Sequence, residues 1–200
     1  MGSPKRIVEG DSVVLIPVPA ADPAVARHRQ RYDPSAARGI PAHVTILYPF
    51  LPLARLTSEV RTELGTILSA EPTFAFDLTA LTTFGASKGD ALYLTPHPEE
   101  PFARVTRRLV DRWPEAPPYG GLYARIIPHL TIAMLDGDIP QQALRREIEP
   151  HLPIRAEATD AWLMTRDARG TWNRMERFGL GAPAGQSPSP PPTSPRTTSP

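Results

Sequence analysis

Apolar positions along this chain switch repeatedly between the two-residue period of a strand and the 3.6-residue period of a helix. The run from Val13 to Val18 predicts a strand at 12–18. A helix follows, with Asp22 as its N-cap and Pro23 at the first helical position. Apolar Val44, Ile46 and Leu47 predict a strand at 43–48, ended by Pro49. Val60, Leu64, Ile67 and Leu68 lie at helical spacing and predict a helix near 57–70. Phe74, Phe76, Leu78 and Ala80 alternate with Asp77 and Thr79, which predicts a strand at 74–82.

The same order then recurs. Ala91 to Thr95 reads as a strand. Residues 101–113 read as a helix with Phe102, Val105, Leu109 and Trp113 on one face, and 129–135 as another strand. A helix near 139–150 has Asp138 as cap and Pro140 in its first turn, and one strand at 154–165 leads to a hairpin partner at 171–178. The opening strands of the two halves lie about 78 positions apart and the helices that follow the second strands about 82 apart. This layout predicts an α+β domain over 1–180, with two pseudo-symmetric sheet-plus-helix lobes, about 1–90 and 91–180, around a central cleft. From Gly181 onward the chain is almost all Pro, Ser, Thr, Gly and Ala, a composition that predicts a disordered tail over 181–200.

Composition narrows the chemistry. With 200 residues and 40% hydrophobic content the chain can build a sizeable core. Its net charge of +1 argues against a protein built mainly to hold long nucleic acid. The absence of cysteine removes disulfides, thiolate nucleophiles and Cys-ligated zinc. The apolar run at 13–18 is too short for a membrane span, so a cytoplasmic location away from membranes is expected.

The two second strands carry one motif each: His43-Val44-Thr45-Ile46 and His129-Leu130-Thr131-Ile132, 86 positions apart. In a strand a His and the Thr two places on share a face, while the intervening residues turn to the core. Each copy therefore offers an imidazole beside a hydroxyl. Two copies facing across a cleft supply paired acid–base groups and paired hydrogen-bond donors, which is what cleaving a phosphodiester without a metal requires. Histidine suits both proton transfers because its ordinary pKa lies near neutrality.

At these residues the chain resembles the two-histidine (2H) phosphoesterase superfamily, in its 2′-5′ RNA ligase-like, cyclic phosphodiesterase branch. Supporting context is Ile40 to Phe50 around the first motif, Tyr119-Gly120-Gly121 and Pro128 to Ala133 around the second, and the closing strand Trp172 to Phe178. Several members carry an Arg shortly after the second motif, where this chain has Ala133-Met134-Leu135. The resemblance implies hydrolysis, or reversible ligation, of 2′,3′-cyclic phosphate or 2′-5′ linked RNA or nucleotide phosphodiesters, with no metal and no cofactor. A monomer acting on a small nucleotide or an RNA terminus is expected. His43 and His129 would be the acid–base pair, their roles left open, and Thr45 and Thr131 would hold the phosphate.

Other residues carry weaker signals. Phe84 and Tyr119 are candidate stacking contacts for a base, as is Trp172, although aromatics at such positions are more often core. His28, among Arg27, Arg29 and Arg31, is expected on a solvated helix face. A zinc hydrolase built on His43 and His129 lacks a third ligand at short spacing, and insensitivity to chelators would dismiss it. A non-catalytic RNA-end or nucleotide-binding protein using the same cleft is the alternative of a different class.

Overall fold

The computed structural model describes residues 11–84, 91–123, 125–135 and 139–181. Eight strands are present among them: β1 (Ser12–Pro17), β2 (His43–Leu47), β3 (Phe74–Thr83), β4 (Ala91–His97), β5 (Leu130–Met134), β6 (Ile154–Ala158), β7 (Asp160–Arg166) and β8 (Trp172–Gly179). Four helices join them: α1 (Asp22–Tyr32), α2 (Ser58–Ser69), α3 (Glu100–Arg112) and α4 (Gln141–Ile148). The strands form two antiparallel four-stranded sheets, in the orders β2-β1-β7-β8 and β5-β4-β3-β6.

The α+β class and the two-lobed layout are as expected, but the lobes are not the halves 1–90 and 91–180. The last strand of the first half, β3, pairs with β4 in the second sheet, and β7 of the second half pairs with β1 in the first. Each half thus lends its final strand to the sheet of the other. The strand expected at 154–165 is in fact two, because Thr159 separates β6, in the second sheet, from β7, in the first. Apolar alternation runs through both pieces and carries no mark of the change of sheet.

Local chemistry explains most element ends. Thr57 caps α2, its hydroxyl accepting from the Val60 amide at 3.4 Å. The start of α1 differs from expectation: a 3-10 turn at Pro19–Ala21 runs into it, Ala21 is the N-cap, and Asp22 is its first helical residue. In β3 the alternation changes sides after Leu78, where the register with β4 shifts. Leu81 is therefore buried and Ala80 exposed. Asp138 and the tail from 182 onward lie outside the described residues; Gly181 bridges to Pro72.

One apolar core joins the helices to a face of both sheets. It takes Val14, Ile16, Val44 and Ile46 from the first sheet and Leu92, Leu94, Leu130 and Ile132 from the second. The helices cross between halves: α1 packs on β5 and α3 on β2. Arg29 and Thr106 reach from these helices to the motif strands, onto the Thr131 and Ile46 carbonyls at 3.0 and 2.9 Å. The opposite face of the first sheet carries a smaller cluster, Val13, Leu15, Ile40, Met164 and Trp172. That face floors the cleft.

Candidate active site

Both motif strands are edge strands, and they meet across the cleft. Each pairs with its neighbour through an irregularity at the same place. Val14 faces Leu47 while Leu15 faces Thr45, passing over Ile46; Leu92 faces Ala133 while Tyr93 faces Thr131, passing over Ile132. Bulges of this kind twist a strand locally and re-aim its side chains. Here the extra residue is the core-facing isoleucine of each motif.

The imidazoles are pinned alike. His43 Nδ1 lies 2.8 Å from the Pro41 carbonyl and His129 Nδ1 lies 2.7 Å from the Ile127 carbonyl, in each case two residues upstream. A carbonyl only accepts, so Nδ1 carries the proton in both rings and Nε2 is left as the acceptor nitrogen. His43 Nε2 lies 3.1 Å from Thr45 Oγ1. Among the described residues, Nε2 of His129 and the hydroxyl of Thr131 have no hydrogen-bond partner.

His43, Thr45, His129 and Thr131 all line one cavity of about 730 Å³, within the range of small-molecule sites. Phe84, Tyr119 and Trp172 line it as well. Phe84 stacks on Tyr93 at 4.1 Å, and both rings meet His129 edge-on, at 4.9 and 5.3 Å. Tyr119 has the only positive φ, 53°, among the described non-glycine residues, and its amide donates to the Tyr48 carbonyl at 2.6 Å. Gly120 and Gly121 continue that left-handed path with φ of 65° and 75°, which a side chain would resist. Strain of this sort persists where the surroundings enforce it. It directs the Tyr119 phenol to Thr45, with which it hydrogen-bonds.

Burial sets the protonation states. Desolvation first, then the nearby Arg29 guanidinium, lowers the His43 pKa to about 4, and a proton on His129 would add to the effect. Burial also lowers His129, partly offset by the Ile127 carbonyl. Burial raises the Tyr119 phenol to about 12. With Nε2 of His43 unprotonated, the Thr45 hydroxyl donates to it.

Several residues that shape the site were not singled out in the sequence. Arg29 is only 3% exposed, contrary to the solvated face expected of its helix, and His28 beside it is also buried. Arg29 pairs with buried Asp33 at 2.8 Å and also donates to the Ile40 carbonyl, at 3.4 Å. It thus ties the segment before the first motif to the strand of the second. The spacing of Arg29 and Asp33, four residues apart near a helix end, was a signal for this pair. Tyr93 could have been found as the residue 78 positions after Leu15, in the matching slot. Among the described residues, no three His, Asp or Glu side chains converge to hold a metal ion, and no helix is long and apolar enough to cross a membrane.

The profile of the 2′-5′ RNA ligase superfamily matches residues 17–170. Among solved structures the chain is similar to Escherichia coli LigT complexed with 3′-AMP, at 16% identity and a TM-score of 0.56 over 86% of this chain and 99% of that one. It is similar to TT0787 of Thermus thermophilus at 17% identity and a TM-score of 0.59, over 86% and 98% of the two chains. LigT complexed with NADP+ gives 16% and 0.55, over 87% and 99%. At these identities the likeness is one of fold. No curated protein matches the sequence.

Proposed function

The chain belongs to the 2′-5′ RNA ligase superfamily, and from that premise we propose that it is a phosphoesterase that opens 2′,3′-cyclic phosphates, or cleaves related 2′-5′ nucleotide diesters, by paired-histidine acid–base catalysis. The observation that carries this reading is the matched pinning of two imidazoles in one cavity, each with Nδ1 on the carbonyl two residues upstream. A structural histidine needs no such duplicate; an acid–base pair does.

His43 is the base. It is neutral at physiological pH and its Nε2 already accepts a proton-bearing hydroxyl, that of Thr45. A water in line with the phosphorus takes that role, and His43 removes its proton as the new P–O bond forms. His129 is the acid. Among the described residues no arginine acts on it as Arg29 acts on His43, so an entering phosphate restores its proton most readily. It passes that proton to the ribose oxygen as the old P–O bond breaks, leaving a phosphomonoester. Thr45 and Thr131 hold the non-bridging oxygens, which fixes the phosphorus and stabilises its developing charge. The lining supports an anion: Arg38 and Arg125 are present, and the carboxylate of Asp33 is engaged by Arg29. Phe84, Tyr119 and Trp172 offer ring surface for a base.

Incubation with 2′,3′-cyclic AMP should yield a monophosphate, followed by chromatography or phosphorus NMR. His43→Ala and His129→Ala should each lower kcat by about 10²–10⁴-fold with unchanged circular dichroism. Full activity in either variant would overturn the assignment; binding without turnover by the unaltered protein would favour a nucleotide-binding role.

A further inference from the structure

Away from the two motifs, the cavity wall contains a second cation whose hydrogen bonds are incomplete. Arg166, the last residue of β7, is 5% exposed and lines the cavity. Its Nε donates to the Gly170 carbonyl at 3.1 Å, and its guanidinium lies 6.0 Å from the ring centre of Trp172. Gly170 leaves room for it: a Cβ there would come within 3.0 Å of one terminal nitrogen. Among the described residues neither terminal nitrogen has an acceptor and no carboxylate pairs with Arg166. Buried arginines are ordinarily paired.

The neighbouring carboxylates are committed elsewhere. Asp11 accepts the Tyr48 hydroxyl at 3.0 Å. Asp167 accepts the amides of Arg169 and Thr171, both at 2.9 Å, and the Asn173 side chain. Tyr48 and Trp172, in edge contact at 6.1 Å, form the adjoining wall.

Register separates this cation from the histidines. Leu15 faces Thr45, whereas Arg166 aligns with Asp11, the residue just before β1 and four positions from Leu15. At the rise of a strand that is about 13 Å, and the guanidinium is anchored toward the β7–β8 turn, away from the motifs. One phosphate cannot serve both places.

We propose that Arg166 forms a second anion subsite in the cleft, whose two free terminal nitrogens take a phosphate carried by the substrate in addition to the one that reacts. The preferred substrate is then a nucleotide bearing two phosphates about one nucleoside apart. The fork geometry of guanidinium suits two oxygens of one phosphate group. The subsite rests on the phosphoester reading of the cleft and adds to it a requirement on substrate charge.

Calorimetric titration can separate the two ideas without turnover. Three probes suffice: 3′-AMP, adenosine 3′,5′-bisphosphate, and a diadenosine dinucleotide ending in a 3′-phosphate. The bisphosphate should bind about 10- to 100-fold more tightly than 3′-AMP, the range of a charge-assisted hydrogen-bonded contact. Arg166→Gln should abolish that preference while leaving 3′-AMP affinity within twofold, and Arg166→Lys should keep part of it. Equal tightening by the dinucleotide would place the second charge on the next diester of a strand; tightening by the bisphosphate alone would place it on a terminal monoester. Loss of binding for all three would overturn the cleft reading and the subsite together. Binding without preference, or a preference surviving in Arg166→Gln, would overturn the subsite alone. Should the Gln variant fail to fold, the Arg166 Nε–H resonance of the unaltered protein decides the matter: it should move with the bisphosphate and stay still with 3′-AMP, and no difference would refute the proposal.

Discussion

The two motif histidines have the same backbone anchor and different electrostatic surroundings. Arg29 acts on His43, and His129 is wrapped in the Phe84 and Tyr93 rings. In the free protein both imidazoles are held below their ordinary pKa. The unfolded chain binds the His43 proton near pH 6.5 and the folded chain only near pH 4. Between those values the unfolded state carries more protons, so stability falls as pH drops through that window and levels off below it. A bound phosphate reverses the preference, because its charge favours imidazolium. Affinity for 3′-AMP should therefore rise as pH is lowered from 8, by up to about tenfold per pH unit for each proton taken up. Proton NMR of the imidazole resonances should show both pKa values moving upward on binding; unchanged values would contradict phosphate contact. The motifs themselves are readable because strand alternation alone puts a His and the next Thr but one on a common face. The burial of Arg29 is not, for an equally physical reason. An arginine on a helix is buried only where acceptors come to it, and two of its acceptors, the Ile40 and Thr131 carbonyls, lie 11 and 102 residues away.

At the scale of elements, α1 is the part that joins the motif strands. Arg29 and Asp33 are both about 4% exposed at the side chain, so removal of one partner leaves a buried, uncompensated charge. Arg29→Met should destabilise the protein by about 3–5 kcal/mol in urea unfolding. Adding Asp33→Leu should recover part of that loss, since a buried pair replaced by apolar groups often costs little. Recovery stays incomplete because the carbonyls of Ile40 and Thr131 lose their donor and Ser35 loses the carboxylate that accepts its amide and hydroxyl at 2.9 and 2.7 Å. A loss below about 1 kcal/mol in the single variant would show that the ion pair behaves as a surface pair. Most elements were legible from period alone: α2, α3 and β8 lie within a residue or two of expectation. The bulges at Ile46 and Ile132 were not, because apolar residues continue through them and only a partner strand reveals a skipped position.

Across the whole molecule, the recurrence of elements was visible in the sequence, and the exchange of final strands was not. A strand with one apolar face satisfies either sheet, and its partner is selected by contacts far along the chain. The consequence is mechanical as well as architectural. The first sheet is completed by β7 and β8, and the second contains β3 from the first half. The apolar core runs through both sheets and all four helices. Neither half can close its own sheet, so neither should fold alone. Residues 11–84 and 91–181 produced separately should each show a largely unfolded circular dichroism spectrum. The intact chain should unfold in one transition. Its tryptophans make this measurable: Trp113 follows α3, while Trp162 and Trp172 lie in the first sheet. Variants retaining only Trp113, or only the other two, should give fluorescence midpoints in urea that coincide with each other and with circular dichroism. Separate midpoints would mean that the lobes hold together independently, and the strand exchange would then contribute little to cohesion. Coincidence would tie the distance between His43 and His129 to the integrity of the entire fold, because His43 opens one edge strand and His129 immediately precedes another, in different sheets that only the exchanged strands and crossing helices keep in register.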